Sequence, residues 1–141
     1  MEEQSTNLEV GRLGEDLAEK YLRDRGYEIV TRNYRQPWGE IDIVTKSKNR
    51  TLTFFEIKTL KKPEFNNETN IKPEDNLTAS KLSKLKRICE SFANSNPKLI
   101  TGSRGWQIDL LTIWIKNFSN VQTLLLTEIE KDCEIKHYEN I

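Results

Sequence analysis

Residues 39–62, GEIDIVTKSKNRTLTFFEIKTLKK, constrain the fold more than any other part of the chain. Two segments rich in Ile, Val, Thr and Phe, EIDIVTK and TLTFFEIKTL, flank the polar turn SKNR, which is the pattern of a β-hairpin. Such a hairpin has one clear misfit. Asp42 on one strand and Glu56 and Lys58 on the other are charged groups set among residues that should be buried.

The register of the hairpin brings these groups together. Directly paired residues of an antiparallel hairpin have a constant sum of indices, and a turn centred near Asn49 sets that sum so that Asp42 opposes Glu56. Their Cβ atoms would then be roughly 4.5–5.5 Å apart. A slip of one residue would send one carboxylate to the other face, so the pairing is a strong commitment. Side chains alternate along a strand, which places Glu56 and Lys58 on one side and Phe55 and Ile57 on the other.

Two carboxylates held about 4 Å apart at an effective dielectric near 20 repel by roughly 4 kcal/mol. Protonation, the Lys58 ammonium or a bound divalent cation would each relieve that repulsion. The carboxylates of Asp42 and Glu56, with the backbone carbonyl of Ile57 between Glu56 and Lys58, form an all-oxygen set that suits Mg²⁺. A cation held there would bind a phosphate and acidify a water, and Lys58 would orient that water or offset charge on the transition state. Taken alone, a Glu-Xaa-Lys triplet is more often a solvated strand face.

The flanking segments supply helices. TNLEVGRLGEDLAEKYLRDRG, residues 6–26, has apolar residues at helical spacing (Leu13, Leu17, Tyr21), capping-box spacing from Thr6 to Glu9, and Gly26 as a stop. Gly11 and Gly14 in its interior each cost about 1 kcal/mol against alanine, which predicts close packing against another backbone. Glu15 lies seven residues from both Leu8 and Leu22, on the stripe that should face the core, where it could add a carboxylate to the site.

TASKLSKLKRICESFANS, residues 78–95, reads as a second helix. Leu82, Leu85, Cys89 and Phe92 form its buried stripe, and Lys81, Lys84, Lys86 and Arg87 crowd its first turns. That basic run is either a solvated face or a phosphate-contacting one.

YEIVTRNYR precedes the hairpin as a strand, with a turn at QPWG. WQIDLLTIWI and VQTLLLTEI follow the second helix as strands, and CEIKHYENI is a short strand or docked tail. Residues 61–76, KKPEFNNETNIKPEDN, lack a usable period and read as a flexible loop. The first three strands form a meander, and the long connection through the second helix makes a right-handed parallel crossover. The expected fold is α/β, a mixed β-sheet flanked by α-helices, in a single domain over residues 1–141.

With 35% hydrophobic and 31% charged residues, the composition is that of a water-soluble domain, and the acidic polar N-terminus is not a secretory signal. No apolar run approaches the ~18 residues of a membrane span. Cys89 and Cys133 lack metal-ligand spacing and read as free thiols of a cytoplasmic protein. The 22 basic and 22 acidic residues cancel, so any nucleic-acid binding must come from local patches. Trp38, Trp106 and Trp114 could stack bases, although tryptophans mostly pack. Asp109 reads as a structural partner for the first helix, and His137, the single histidine, as a tail residue without chemistry.

GRLGEDLAEKYLRDRGYEIVTRNYR, GEIDIV, FFEIKT and KLSKLKRI, in that order, resemble the YraN-like family of the PD-(D/E)XK nuclease superfamily. That family has a restriction-endonuclease-like core and is similar to archaeal Holliday-junction resolvases. The match spans residues from about 10 to about 115 of this chain.

The resemblance implies catalytic roles for Asp42, Glu56 and Lys58, an auxiliary acid at Glu15, and Glu40 as part of the same signature. It further implies Mg²⁺ or Mn²⁺ as cofactor, hydrolysis of DNA phosphodiesters, and branched DNA as a substrate. Lys61, Lys62, Lys81, Lys84 and Arg87 would contact the nucleic acid, and a homodimer would follow the pairing of junction-cutting relatives. This chain has Leu60 where the family usually has arginine, and Gln107-Ile108-Asp109 where it tends to have Arg-Phe-Asp. An adaptor that keeps the scaffold and binds nucleic acid without turnover is the alternative.

Overall fold

The computed structural model describes residues 2–61, 77–115 and 133–141. In chain order these form helix α1 (Glu2–Asp24), strands β1 (Glu28–Gln36), β2 (Gly39–Lys46) and β3 (Leu52–Lys61), and helix α2 (Ala79–Ser95). A short 3-10 turn (Pro97–Leu99) leads to β4 (Trp106–Ile115) and β5 (Cys133–Tyr138).

The strands make one sheet in the order β1-β2-β3-β4-β5. β1, β2 and β3 are the expected antiparallel meander, β4 joins β3 in parallel, and β5 returns antiparallel to β4. This is a mixed α/β sheet compatible with a restriction-endonuclease-like core. The parallel step needs a crossover, and α2 lies within it. Among the described residues no helix is long and apolar enough to cross a membrane.

Strand alternation divides the core in two. Leu13, Leu17, Ala18 and Leu22 of α1 pack with Ile43, Phe55, Leu111 and Ile113 on one face of the sheet. Leu85, Ile88, Cys89 and Phe92 of α2 pack with Val44, Leu52, Phe54 and Ile108 on the other. Ile88 replaces Leu82, which is only partly buried, in the expected α2 stripe. The α2 N-cap is Thr78, whose hydroxyl accepts the Lys81 N–H at 3.2 Å. Both cysteines are buried.

α1 begins at Glu2, so Thr6 and Glu9 fall within the helix rather than at its start. Glu2, Glu3 and Gln4 are good helix formers by intrinsic propensity. The other end follows expectation. Gly26 has φ +88°, its N–H bonds to the Arg23 carbonyl, and the Tyr27 N–H bonds to that of Leu22. These two bonds make a Schellman stop.

The two glycines of α1 differ. A Cβ on Gly14 would come within 1.7 Å of the Thr59 hydroxyl, so this glycine lets α1 close onto β3 through a side chain. Gly11 is exposed, and among the described residues nothing lies within 4 Å of such a Cβ, so the close packing expected there is not found among them. The segment VQTLLLTEI and all but the first residue of the loop at 61–76 lie outside the described residues, and the fifth strand is CEIKHY.

Candidate functional site

β2 and β3 pair from Lys46↔Leu52 to Ile43↔Phe55, the register expected from the turn. Beyond that pair they separate. β2 stays with β1 down to Gly39, while β3 stays with β4 up to Lys61. Asp42 and Glu56 are the first residues past the last shared pair, at the point of the resulting V.

The β1–β2 ribbon twists at the same place. Arg32 and Tyr34 should share a face, yet Arg32 reaches α1 while Tyr34 packs on Phe92 of α2. Between them Asn33 adopts a left-handed φ of 53°, a conformation asparagine tolerates. Their partners change sides in step: Ile43 belongs to the α1 core and Ile41 to the α2 core. Asp42, between these two, is aimed across the split, where its Oδ2 accepts the Ile57 N–H at 2.8 Å.

Asp42 and Glu56 lie close enough for each to act on the other's proton affinity. Burial pushes the Glu56 carboxyl up to about 8, with Asp42 and Glu40 adding and Lys58 opposing. Burial likewise raises Asp42, to about 6, against the pull of the Ile57 N–H, with Glu15 and Glu40 contributing. Near neutral pH the pair therefore shares one proton, the state expected of two crowded carboxyls. Burial, with Glu56 adding, raises the Cys89 thiol, leaving it unreactive.

Of the residues singled out by sequence, Asp42, Glu56 and Lys58 are brought together, with Lys58 exposed beside Glu56. Glu15 lies close enough to act on Asp42, and Gly14 next to it sets how near α1 approaches β3. Its carboxylate is already engaged by Arg32 at 3.4 Å. Glu40 is exposed and pairs with Arg35 at 3.4 Å. Lys81, Lys84 and Arg87 are exposed along α2. Lys61 closes β3, and Lys62 lies outside the described residues.

Sequence reasoning missed three things. Arg32 binds Glu15, Asp16 at 2.9 Å and Glu19 at 3.8 Å, clamping β1 to α1; its signal was the asparagine that follows it. Lys46 is buried, and its ammonium donates to the Arg50 carbonyl, the Leu99 carbonyl and the Thr101 hydroxyl. Alternation from Val44 predicts that burial.

The third is Asp109, whose partners are the chain end rather than α1. Buried Asp109 accepts from Gln107 Nε2 at 2.9 Å and from the Asn140 N–H at 2.9 Å, and its Oδ2 lies 2.7 Å from His137 Nε2. The tail histidine thus has a structural partner. Ligand atoms of Asp109, His137 and Glu139 lie within 4.8 Å of one another, but the Asp109–His137 contact is a direct hydrogen bond. We read it as a latch holding β5.

Residues 14–113 match the model of "Uncharacterised protein family UPF0102". A UPF0102 protein of Chloroherpeton thalassium is 37% identical over 93 residues, 66% of this chain and 67% of the relative. One of Alkaliphilus oremlandii is 31% identical over 134 residues, 95% of this chain and 97% of the relative. One of Desulfosudis oleivorans reaches 58% over 48 residues, 34% and 38% of the two chains. The family model covers the second half of α1, the hairpin, α2 and most of β4, and the Alkaliphilus match extends along nearly the whole chain, so this protein belongs to the UPF0102 family.

Proposed function

We propose that this protein is a divalent-metal-dependent endonuclease that hydrolyses DNA phosphodiester bonds, in keeping with its resemblance to PD-(D/E)XK nucleases. The observation that carries this reading is the carboxyl pair, Asp42 and Glu56, at the split between β2 and β3, with the Lys58 ammonium alongside. A buried pair with raised proton affinity is a place where a second positive charge is favoured. The donors are all oxygens, which fits Mg²⁺ or Mn²⁺ better than softer metals.

Asp42, Glu56 and the Ile57 carbonyl would hold the cation. When bound, it supplies a Lewis acid for the phosphate and lowers the pKa of a water. The Ile57 N–H keeps Asp42 aimed across the split, fixing one ligand before any metal arrives. Lys58, exposed beside Glu56, donates to the attacking water or to a non-bridging phosphate oxygen and offsets developing negative charge. Glu15 would orient a water of the metal shell once Arg32 yields. Lys81, Lys84 and Arg87 would contact the DNA backbone. Cutting both strands would take two copies of the chain. Branched DNA is the substrate suggested by superfamily resemblance.

The second reading is a nucleic-acid-binding adaptor without turnover. It is favoured by the Arg32–Glu15 ion pair, which already neutralises one acid, and by Leu60 and Gln107 in positions where relatives tend to have arginine. A cleavage panel of linear, flapped and four-way DNAs with Mg²⁺ or Mn²⁺ separates the two. The nuclease reading expects metal-dependent cleavage that Lys58→Ala reduces at least a hundredfold without weakening DNA binding to match. DNA binding with no cleavage of any substrate would favour the adaptor.

A further inference from the structure

The turn between β1 and β2 presents Trp38 with 48% of its surface exposed, the exposed large hydrophobic side chain among the described residues. It faces one side of α2, and together they line an open groove of about 540 Å³ with Arg87, Glu90, Ser91, Asn94 and Ser95. This volume is in the range of small-ligand clefts, roughly 300–1,000 Å³. A Cβ on Gly39, the next residue, would lie 3.5 Å from Ile88, so the turn sits close against the helix.

The lining selects its occupant. The indole offers a flat apolar platform, while the serines, Asn94 and Glu90 offer donors and acceptors at the rim. A phosphate in the groove would meet the Glu90 carboxylate, whereas an exocyclic amine of cytosine or adenine would find in it an acceptor. Phosphates are served nearby. Lys81, Lys84 and Arg87 recur every three residues along α2, so a basic track runs to the mouth of the groove.

We infer that the groove between Trp38 and α2 binds an unpaired nucleobase, stacked on the indole and edged by Glu90, Ser91 and Asn94. Its backbone would follow the Lys81–Lys84–Arg87 track. In an intact duplex each base face is covered by its neighbours, so the occupant must come from a single-stranded, flapped or junction segment. Trp38 lies in the turn immediately before β2 and four residues ahead of Asp42, at most about 13 Å at 3.3 Å per residue. That is about four steps of a stacked strand at 3.4 Å each, so one DNA strand can touch both. The inference rests on the nuclease reading only for the position of the cleaved bond.

The test uses 2-aminopurine in a DNA single strand and in a fully paired duplex, titrated with the full chain in EDTA so that cleavage does not intervene. Wild type and Trp38→Phe are expected to bind the single strand and quench its emission. Trp38→Ala should weaken single-strand binding roughly 5- to 150-fold and abolish the quenching, with duplex affinity unchanged. Thermal melting should confirm that the variant is folded, since this side chain is largely outside the core. Equal affinity and equal quenching in Trp38→Ala would overturn the groove assignment. Cleavage of any DNA by metal-loaded wild type would then leave the nuclease reading standing. A wild-type chain that neither binds nor cleaves any of these DNAs would remove both.

Discussion

Replacing Glu56 with glutamine should stabilise the metal-free protein, and the structure sets the pH at which it does so. The Glu56 carboxyl rises from an ordinary 4.5 to about 8, chiefly through burial and then through Asp42 and Glu40. A carboxyl that holds its proton more tightly when folded favours the folded state at low pH. That favour is lost as pH rises from about 4.5 through about 8, because only the unfolded chain ionises freely over this interval. Each tenfold in proton affinity is about 1.4 kcal/mol, giving a ceiling of roughly 5 kcal/mol. Solvent in the open V and the proton shared with Asp42 reduce this to about 2–4 kcal/mol.

Glutamine removes the ionisation while keeping nearly the same volume. Urea unfolding in EDTA at pH 5, 6, 7, 8 and 9 should show wild-type stability falling between pH 5 and 8 and the Glu56→Gln curve much flatter. The two should nearly coincide at pH 5 and differ by about 2–4 kcal/mol at pH 8. Identical pH profiles would refute the claim that the site holds an electrostatically costly carboxyl.

Gly14→Ala should destabilise by about 1–3 kcal/mol in urea unfolding, since its methyl would occupy the Thr59 hydroxyl's place, whereas Gly11→Ala should stabilise by up to about 1 kcal/mol. Lys46→Met should cost roughly 2–4 kcal/mol in the same assay, because it strips the Arg50 and Leu99 carbonyls of their donor. His137→Ala should cost about 1–3 kcal/mol and raise amide hydrogen exchange in β5, as Asp109 loses one of its three partners and β5 its latch.

The hairpin pairing was legible because index sums depend only on where the turn sits, and SKNR leaves little freedom there. The meander and the parallel crossover followed from chain order and connection length. What escaped were features set by a local break in alternation. A register shift between Ile29 and Thr31 comes just before Arg32, which reaches α1, and left-handed Asn33 comes just after it, so Tyr34 packs on the α2 side and Asp42 is aimed across the split instead of squarely beside Glu56. A period-two pattern assumes every residue is extended, so one left-handed residue misplaces all that follow. The capping-box spacing misled for another reason: three good helix formers ahead of it let the helix start earlier. The Asp109–His137 latch joins residues 28 positions apart, a contact that only the pairing of β4 with β5 creates.

Occupation of the β2–β3 split by a divalent ion is best judged by melting the wild-type protein and an Asp42→Asn variant across a Mn²⁺ titration. At a hundredfold excess over Kd, wild type should gain about 2.7 kcal/mol, roughly 5–10 °C in Tm, while Asp42→Asn, folded without metal, should gain nothing. Equal gains in both proteins, or none in wild type at millimolar Mn²⁺, would contradict the assignment of Asp42 and Glu56 as metal ligands.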